Sequence, residues 1–215
     1  MSPFAKKIPF LTSPMHGAYV LLLFHTVGII GLISSYSNTF RLLTPFNLLL
    51  SAFILVAFHN KYDWKFWSLL LICFATGFGV EWVGIHTAII FGHYSYGETL
   101  GIKYADVPII IGLNWYILAY ISTDLSARIK LPLYVKVILG ALFMTAIDYL
   151  IEPVAIRFGF WFWHSGQIPL SNYVGWFLVS LPLQWFAHRF YSGNNPVALW
   201  LLLAMTFFFL TLHFI

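Results

Sequence analysis

Long apolar stretches alternate with short polar segments along almost the whole chain of 215 residues. A helix needs ~20 mainly apolar residues to cross the hydrocarbon layer of a membrane. The pattern therefore predicts an all-α fold, a polytopic integral membrane helix bundle with about seven transmembrane helices in a single domain over residues 1–215. The seven stretches are residues 16–34, 45–59, 64–91, 107–127, 133–157, 173–191 and 196–215.

The composition supports a membrane protein and excludes most other classes. Apolar residues make up 60% of the chain and charged residues 8%, whereas soluble domains have roughly 45–50% and about 25%. This excludes an ordinary soluble enzyme, a disordered chain, a coiled coil and a collagen-like fibre. The net charge is +4, but the basic residues are scattered, so we expect the lipid bilayer and no nucleic acid as partner.

The placement of Lys and Arg predicts an orientation in the membrane. Alternate loops of a seven-span bundle share a side, and the side richer in Lys and Arg is cytoplasmic. One side carries eight of them and the other three, so we expect a cytoplasmic N-terminus in a multi-pass protein of the cell (inner) membrane. The eight are Lys6, Lys7, Lys61, Lys65, Arg128, Lys130, Lys136 and Arg189, and the three are Arg41, Lys103 and Arg157.

Two loops rich in polar and aromatic residues are then expected together on the outer side. They are residues 92–106, after the third stretch, and residues 158–172, after the fifth. An aromatic belt at the membrane interface would give the same composition. Single loop aromatics therefore do not by themselves indicate a site.

Most of the seven acidic residues have ordinary explanations, and three do not. Asp63 lies in a short loop between two lysines, and Asp124 precedes Arg128 by four residues, which is the spacing of a helical ion pair. A polar seam of Asp124 with Tyr116 and Tyr120 on the same helix face is the alternative. The remaining carboxyls of interest lie inside apolar stretches: Glu81, Asp148 and Glu152.

Glu81 is predicted to point into the helix bundle. Gly77, Glu81, Gly84 and Ala88 share one helix face, and small residues allow another helix to approach closely. At the helical rise, Glu81 lies ~15 Å from the outer end of its stretch, and Asp148 ~14 Å from the outer end of its own. The two carboxyls are therefore expected at similar depth, with Glu152 one turn from Asp148.

Carboxyls within a membrane indicate function by default, because they are costly to place there. Neighbouring carboxylates also repel one another, so at least one of the three should hold a proton and be able to donate it. A protonated carboxyl that merely joins two helices by a hydrogen bond is the structural alternative.

Several catalytic and binding motifs are missing from the sequence. The eight histidines form no HxxxH or HxxHH box, and no glycine-rich nucleotide loop is present. Asp148-x-x-x-Glu152 loosely resembles one Asp-rich motif of the intramembrane prenyltransferases. Those enzymes need a second such motif to hold magnesium and diphosphate, and the sequence does not contain one. His93 and His164 could meet across the outer loops, but lone interfacial histidines usually only form hydrogen bonds, so we predict no metal site.

A set of motifs between about residues 77 and 176 resembles a family of carotenoid-biosynthesis membrane proteins that includes carotenoid 1,2-hydratases and bisanhydrobacterioruberin hydratases. Any one motif is weak, but their order and spacing together are specific. They are Phe91-Gly-His-Tyr-Ser-Tyr, Leu100-Gly-Ile-Lys, Val107-Pro, Asp148-x-x-x-Glu-Pro, Gly159-Phe-Trp-Phe-Trp and Ile168-Pro-Leu-Ser-Asn-Tyr-Val-Gly-Trp.

The resemblance implies hydration of the terminal double bond of an acyclic carotenoid end group, which yields a tertiary alcohol and needs no cofactor. Lycopene and γ-carotene carry such an end group, and other carotenoid enzymes would be further partners. The chemistry requires a desolvated acid, aromatic faces for a carbocation and one controlled water. Asp148 or Glu81 would be the acid, the other would activate water, and Glu152 would tune both.

The remaining site predictions follow from the same chemistry. The residues expected to bind the substrate and its cation are Trp82, Tyr94, Tyr96, Trp161 and Trp163. The residues expected to hold water or to close the outer mouth are His93, Lys103, His164 and Asn172.

Two other functions compete with this one. A carotene end-group cyclase begins with the same protonation but excludes water, so its product gains no oxygen. A membrane carrier or a scaffold without catalysis could also place carboxyls at mid-membrane. The chain shows no inverted repeat of the kind that many carriers have.

Overall fold

The structure is a computed structural model that describes Ile8, residues 10–191 and residues 193–215. Lys6 and Lys7, which contribute to the predicted orientation, lie outside these residues. The described chain is mainly helical, and seven of its eight helices coincide with the predicted apolar stretches; the short α2 was not predicted. The helices are α1 (Pro14–Ile33), α2 (Ser37–Leu42), α3 (Thr44–Ala57), α4 (Trp64–Thr87), α5 (Ile110–Ala127), α6 (Leu133–Arg157), α7 (Leu170–Phe190) and α8 (Ala198–Phe214).

Three helices are long and apolar enough to cross a membrane: α1, α4 and α6. The helices α3 and α8 are apolar but shorter. Large apolar side chains on the outer faces are exposed, for example Leu71 at 63%, Leu178 at 57% and Phe207 at 54%, as expected for surfaces that face lipid rather than water. Seven spans and a cytoplasmic N-terminus remain predictions.

Helix α5 is the centre of the bundle. It packs against α3, α4, α6, α7 and α8 and is buried on almost its whole circumference. Around it, α4 and α5 pack closely, as do α6 and α7. This arrangement brings the inner faces of α4, α6 and α7 together at one end of α5.

Four short strands, which the all-α prediction did not include, organise the loops at that end. β1 (Tyr94–Tyr96) pairs antiparallel with β4 (Trp161–Trp163), so that Tyr94 lies opposite Trp163 and Tyr96 opposite Trp161. β2 (Lys103–Tyr104) and β3 (Val107–Pro108) form a tight hairpin. The predicted proximity of the loops 92–106 and 158–172 is thus confirmed.

The predicted ion pair of Asp124 and Arg128 is also confirmed, with Arg128 Nη2 2.6 Å from Asp124 Oδ2. Asp124 is 1% exposed and accepts further hydrogen bonds from the backbone N–H of Asn195 at 2.8 Å and from the hydroxyl of Tyr191. Tyr120, one turn earlier, accepts a hydrogen bond from the Asn195 amide at 2.9 Å. This Asp124 network ties α5 to the segment that precedes α8.

Candidate active site

Three buried carboxyls line one cavity where α4, α6 and α7 meet the paired loops. Glu81 comes from α4, and Asp148 and Glu152 come from α6; their exposures are 4%, 1% and 2%. We call them the carboxyl cluster. The cavity is lined by Glu81, Phe91, Tyr94, Tyr96, Ile111, Asn114, Trp115, Asp148, Ile151, Glu152, Trp161, Trp163, Asn172 and Trp176.

Glu81 accepts three hydrogen bonds. The hydroxyls of Tyr94 and Tyr96 donate to Oε2 at 2.5 and 2.7 Å, and the indole N–H of Trp115 donates to Oε1 at 3.1 Å. Burial and the neighbouring Glu81 carboxylate raise the pKa of both tyrosine hydroxyls above their ordinary value. Both hydroxyls therefore keep their protons and serve as donors to Glu81.

Local sequence explains how Glu81 obtains these partners. Ala88 ends α4 in the left-handed conformation, with φ 56°, and the chain then folds back over the helix. A Cβ at Gly84 would lie 2.9 Å from the Tyr94 hydroxyl, and a Cβ at Gly77 would lie 2.2 Å from the Trp115 side chain. The predicted face of small residues is thus confirmed, and the side chains of Trp115, Phe91 and Tyr94 fill the space that it leaves.

Glu152 also accepts three hydrogen bonds. The indole N–H groups of Trp161 and Trp163 donate to Oε2 at 3.1 and 2.8 Å, and the Asn172 amide donates to Oε1 at 3.2 Å. The two tryptophans alternate with Phe162 along β4, so both turn to the same side of the strand. The pairing of β4 with β1 therefore fixes both donors over Glu152.

Asp148 has far fewer donors than its two neighbours. Among the described residues it accepts a single side-chain hydrogen bond, from the Asn172 amide at 2.9 Å. That same amide group bridges Asp148 and Glu152. None of the ion pairs between described residues involves the carboxyl cluster.

Aromatic rings form most of the remaining wall. Trp115 and Trp176 stack in parallel with centroids 4.0 Å apart, and Tyr94 lies 5.0 Å from Trp163. Trp115 and Trp176 were not predicted as site residues. Helix α5 is buried on almost all sides, so no alternation of apolar and polar positions in the sequence singles out the face that carries Trp115.

The volume of this cavity that the centre of a water molecule can occupy is about 20 Å³. A single bound water needs roughly 10–15 Å³ of such volume. The cavity is therefore the size of one water molecule and is surrounded by groups that can form hydrogen bonds with it. It is too small for a hydrocarbon end group.

A second cavity of about 280 Å³ lies above the first, on the side of the loops. His93, His164 and Lys103 line it, and Tyr94 and Tyr96 line both cavities. The rings of His93 and His164 stack with centroids 3.9 Å apart, so the two histidines do meet. Lys103 Nζ donates to Glu98 at 2.6 Å and to the Tyr96 carbonyl at 3.0 Å.

Two predicted residues lie elsewhere than expected. Asn172, expected at the mouth, is 2% exposed at the centre of the carboxyl cluster. Trp82, expected to bind the cation, does not line the cavity: it is 45% exposed, and its ring lies beside His86. Because adjacent residues of a helix differ by about 100° in direction, Trp82 and Glu81 cannot face the same site.

The described residues contain no group of three or more His, Cys, Asp or Glu side chains placed to hold a metal ion. The arrangement is instead three uncompensated carboxyls, fixed by aromatic donors, around a space for water. Such a site can hold and transfer protons in a dry environment.

Comparison with known proteins gives these residues a family context. The chain is 29% identical over 112 residues to the bisanhydrobacterioruberin hydratase of Haloarcula japonica, an alignment that covers 47% of this chain and 37% of that protein. The chain thus spans well under two thirds of that relative. No solved structure matches the chain. The model of the carotenoid biosynthesis protein family matches residues 43–215, and the chain therefore belongs to this family.

Proposed function

We propose that this protein adds water to the terminal double bond of an acyclic carotenoid end group and releases a 1-hydroxy carotenoid. The observation that carries the proposal is the carboxyl cluster: three buried acids without a cationic partner surround a space for one water. Membership of the carotenoid biosynthesis family supports a carotenoid as substrate, and the hydratase relative supports the reaction type.

Asp148 is the general acid in this proposal. Hydrogen bonds to a carboxylate stabilise its charged form, and Asp148 accepts one, whereas Glu81 and Glu152 each accept three. The one proton that the cluster can best retain therefore resides on Asp148. Of the two acids that the sequence left open, the hydrogen bonding favours Asp148 over Glu81.

In the proposed reaction, groups of this site donate and accept every proton that is transferred. The O–H bond of Asp148 breaks and its proton bonds to the less substituted alkene carbon, which leaves a tertiary carbocation. The oxygen of the water bonds to that cation, and Glu152 accepts the proton that the water loses. The Asn172 amide donates to both Glu152 and Asp148, which holds the two carboxyls beside each other, and the proton returns from Glu152 to Asp148.

The cation is stabilised by its surroundings. Tyr94, Trp163 and Trp176 line the cavity, and each cation–π contact with an aromatic ring is worth up to ~2 kcal/mol when desolvated. In this scheme Glu81, which accepts three hydrogen bonds, is the anion and adds a fixed negative charge nearby. Preorganised charge of this kind needs no rearrangement when the cation forms.

Water enters from the loop side in this scheme. The cavity lined by His93, His164 and Lys103 adjoins the carboxyl cluster at Tyr94 and Tyr96. These two tyrosines are bound to Glu81, so they limit entry to a molecule that can exchange hydrogen bonds with them. We place this face at the outer surface of the cell membrane.

The test is a product analysis in bacteria that accumulate lycopene or γ-carotene. Expression of the chain should yield a pigment heavier by the mass of one water. A product of unchanged mass and altered retention would indicate a cyclase and contradict the proposal. Unaltered pigments, with the protein folded in the membrane, would also contradict it and favour a carrier or scaffold.

A further inference from the structure

A large apolar cavity lies beside the carboxyl cluster. It has a volume of about 490 Å³ and is enclosed by α1, α2, α3, α5 and α8. Its wall includes Leu32, Phe40, Leu50, Ile117 and Phe208. No acidic or basic residue other than His25 lines it in the described part of the chain. Its lining therefore suits a hydrocarbon.

One end of this cavity faces the surrounding lipid and the other ends in the protein core. Phe24, Val27 and Phe46 are exposed by 49%, 43% and 65%, and all three line the cavity. At the opposite end, Ser51 and Ile117 are exposed by 2% and 0%. A molecule dissolved in the bilayer could enter sideways and extend inward.

The inner end touches the candidate active site at one residue. Asn114 of α5 lines both the apolar cavity and the cavity of the carboxyl cluster, and it is the one residue common to their linings. No hydrogen bond is formed by its side-chain amide within the described chain. The amide is thus free to bind a ligand group that lies between the two cavities.

We propose that this cavity binds the hydrocarbon chain of the acyclic carotenoid and directs its end group past Asn114 to Asp148. The inference rests on the proposed function. The cavity of the carboxyl cluster, at about 20 Å³, cannot hold the end group in this conformation. The Asn114 side chain must therefore turn aside to admit it, and its amide then hydrogen-bonds the water or the new hydroxyl.

A wholly apolar chain fits this cavity better than a phospholipid does. A phospholipid acyl chain would bring an anionic headgroup to the cavity entrance, yet neither Lys nor Arg lines it. A carotenoid end group, by contrast, must travel from the bilayer to a buried acid. The cavity connects those two places.

Matched substitutions on α1 test the proposal. Val27→Trp puts a large ring in the entrance, whereas Ile30→Trp makes a comparable change at a residue of the same helix that is 59% exposed and does not line the cavity. Phe24→Trp is a second entrance variant that makes a smaller change. Each is built in wild type and in Asp148→Asn, which should bind lycopene without converting it.

The protein is purified in detergent from cells that accumulate lycopene, and the retained lycopene is measured by absorbance per folded protein. In the Asp148→Asn background, Val27→Trp should retain about tenfold less than Ile30→Trp, the order of effect expected from overpacking a filled site. In the active background, Val27→Trp should lower the yield of hydrated product by a similar factor.

The outcomes separate the two proposals. Equal retention by both Trp variants, or phospholipid alone in the cavity, would overturn the inference while leaving hydration intact. Retention that depends on Val27 without any hydrated product in wild type would support the inference and contradict the proposed function. If Val27→Trp does not fold, the same comparison is made with Phe24→Trp.

Discussion

Two buried acidic sites, near opposite ends of α5, differ in what compensates their charge. Asp124 is paired with Arg128 at 2.6 Å and accepts bonds from Tyr191 and Asn195. The carboxyl cluster has three acids and no cationic partner among the described residues. Its donors are neutral hydroxyl, indole and amide groups.

The difference separates a structural site from a chemical one. A buried ion pair satisfies both charges, and removing one partner leaves the other uncompensated. Several uncompensated carboxyls are costly to bury, so the carboxyl cluster does not contribute to stability as the Asp124 ion pair does. We therefore assign Asp124 to the fold and propose proton transfer for the carboxyl cluster, and separate substitutions test the two assignments.

The largest effect is expected for Asp148→Asn. The amide cannot donate an acidic proton, so the rate of hydration should fall by roughly 10²–10⁴, the usual contribution of a general acid. Folding should be maintained, because Asn fills the same space and keeps an acceptor for Asn172. Product yield and the melting temperature in detergent are the measurements.

Asp63→Asn is the matched control for that variant. Asp63 caps α4 at the protein surface, and Asn is an equally good N-cap residue. Both rate and stability should stay close to wild type. An equal loss of activity in both variants would remove the special role of Asp148.

The next largest effect is expected on stability, at the other end of α5. Asp124→Ala leaves Arg128, Tyr191 and the N–H of Asn195 without their acceptor, which should cost about 3 kcal/mol of unfolding free energy. The melting temperature should fall, while the activity of the protein that remains folded stays near wild type. A normal melting temperature with lost activity would reverse the assignment of the two sites.

Much of this arrangement could be predicted from the sequence, because its physical causes are local. The positions of the helices follow from apolar stretches, and the inward direction of Glu81 follows from Gly77 and Gly84. The shared side of the loops 92–106 and 158–172 follows from the alternation of predicted spans. These features depend on neighbours in the chain or on simple counting.

The remaining features depend on contacts between distant segments. Trp115 is 34 positions from Glu81, and Asn172 is 24 from Asp148, so no local pattern indicates either hydrogen bond. The separation of a polar cavity from an apolar one depends on packing of five helices. Trp82 is different, since its direction away from Glu81 could have been deduced from the helical period.

A smaller effect is expected for Glu81→Gln. The change removes the fixed negative charge near the cation but keeps an acceptor for Tyr94 and Tyr96, so we expect a loss of ~2 kcal/mol, roughly 30-fold in rate. Glu98→Gln is the matched control, because Glu98 is 89% exposed and forms an ion pair with Lys103. An unchanged rate in Glu81→Gln would limit the role of Glu81 to structure.

The smallest effect is expected for Tyr96→Phe. This variant removes one of the three donors to Glu81, at 2.7 Å, and a hydrogen bond to a charged group contributes ~1.5–3 kcal/mol. Because Tyr94 and Trp115 remain, we expect about a 12-fold loss of rate, which corresponds to the lower end of that range. A loss as large as that of Asp148→Asn would show that Tyr96 takes part in proton transfer.

The central claim is that the carboxyl cluster adds the oxygen of water to a carotenoid. The most direct test incubates the purified protein with lycopene in water enriched in heavy oxygen and analyses the product by mass spectrometry. We expect a tertiary alcohol that carries the heavy oxygen in wild type and no such product in Asp148→Asn. A product without oxygen, or labelled product at the wild-type rate in Asp148→Asn, would contradict it.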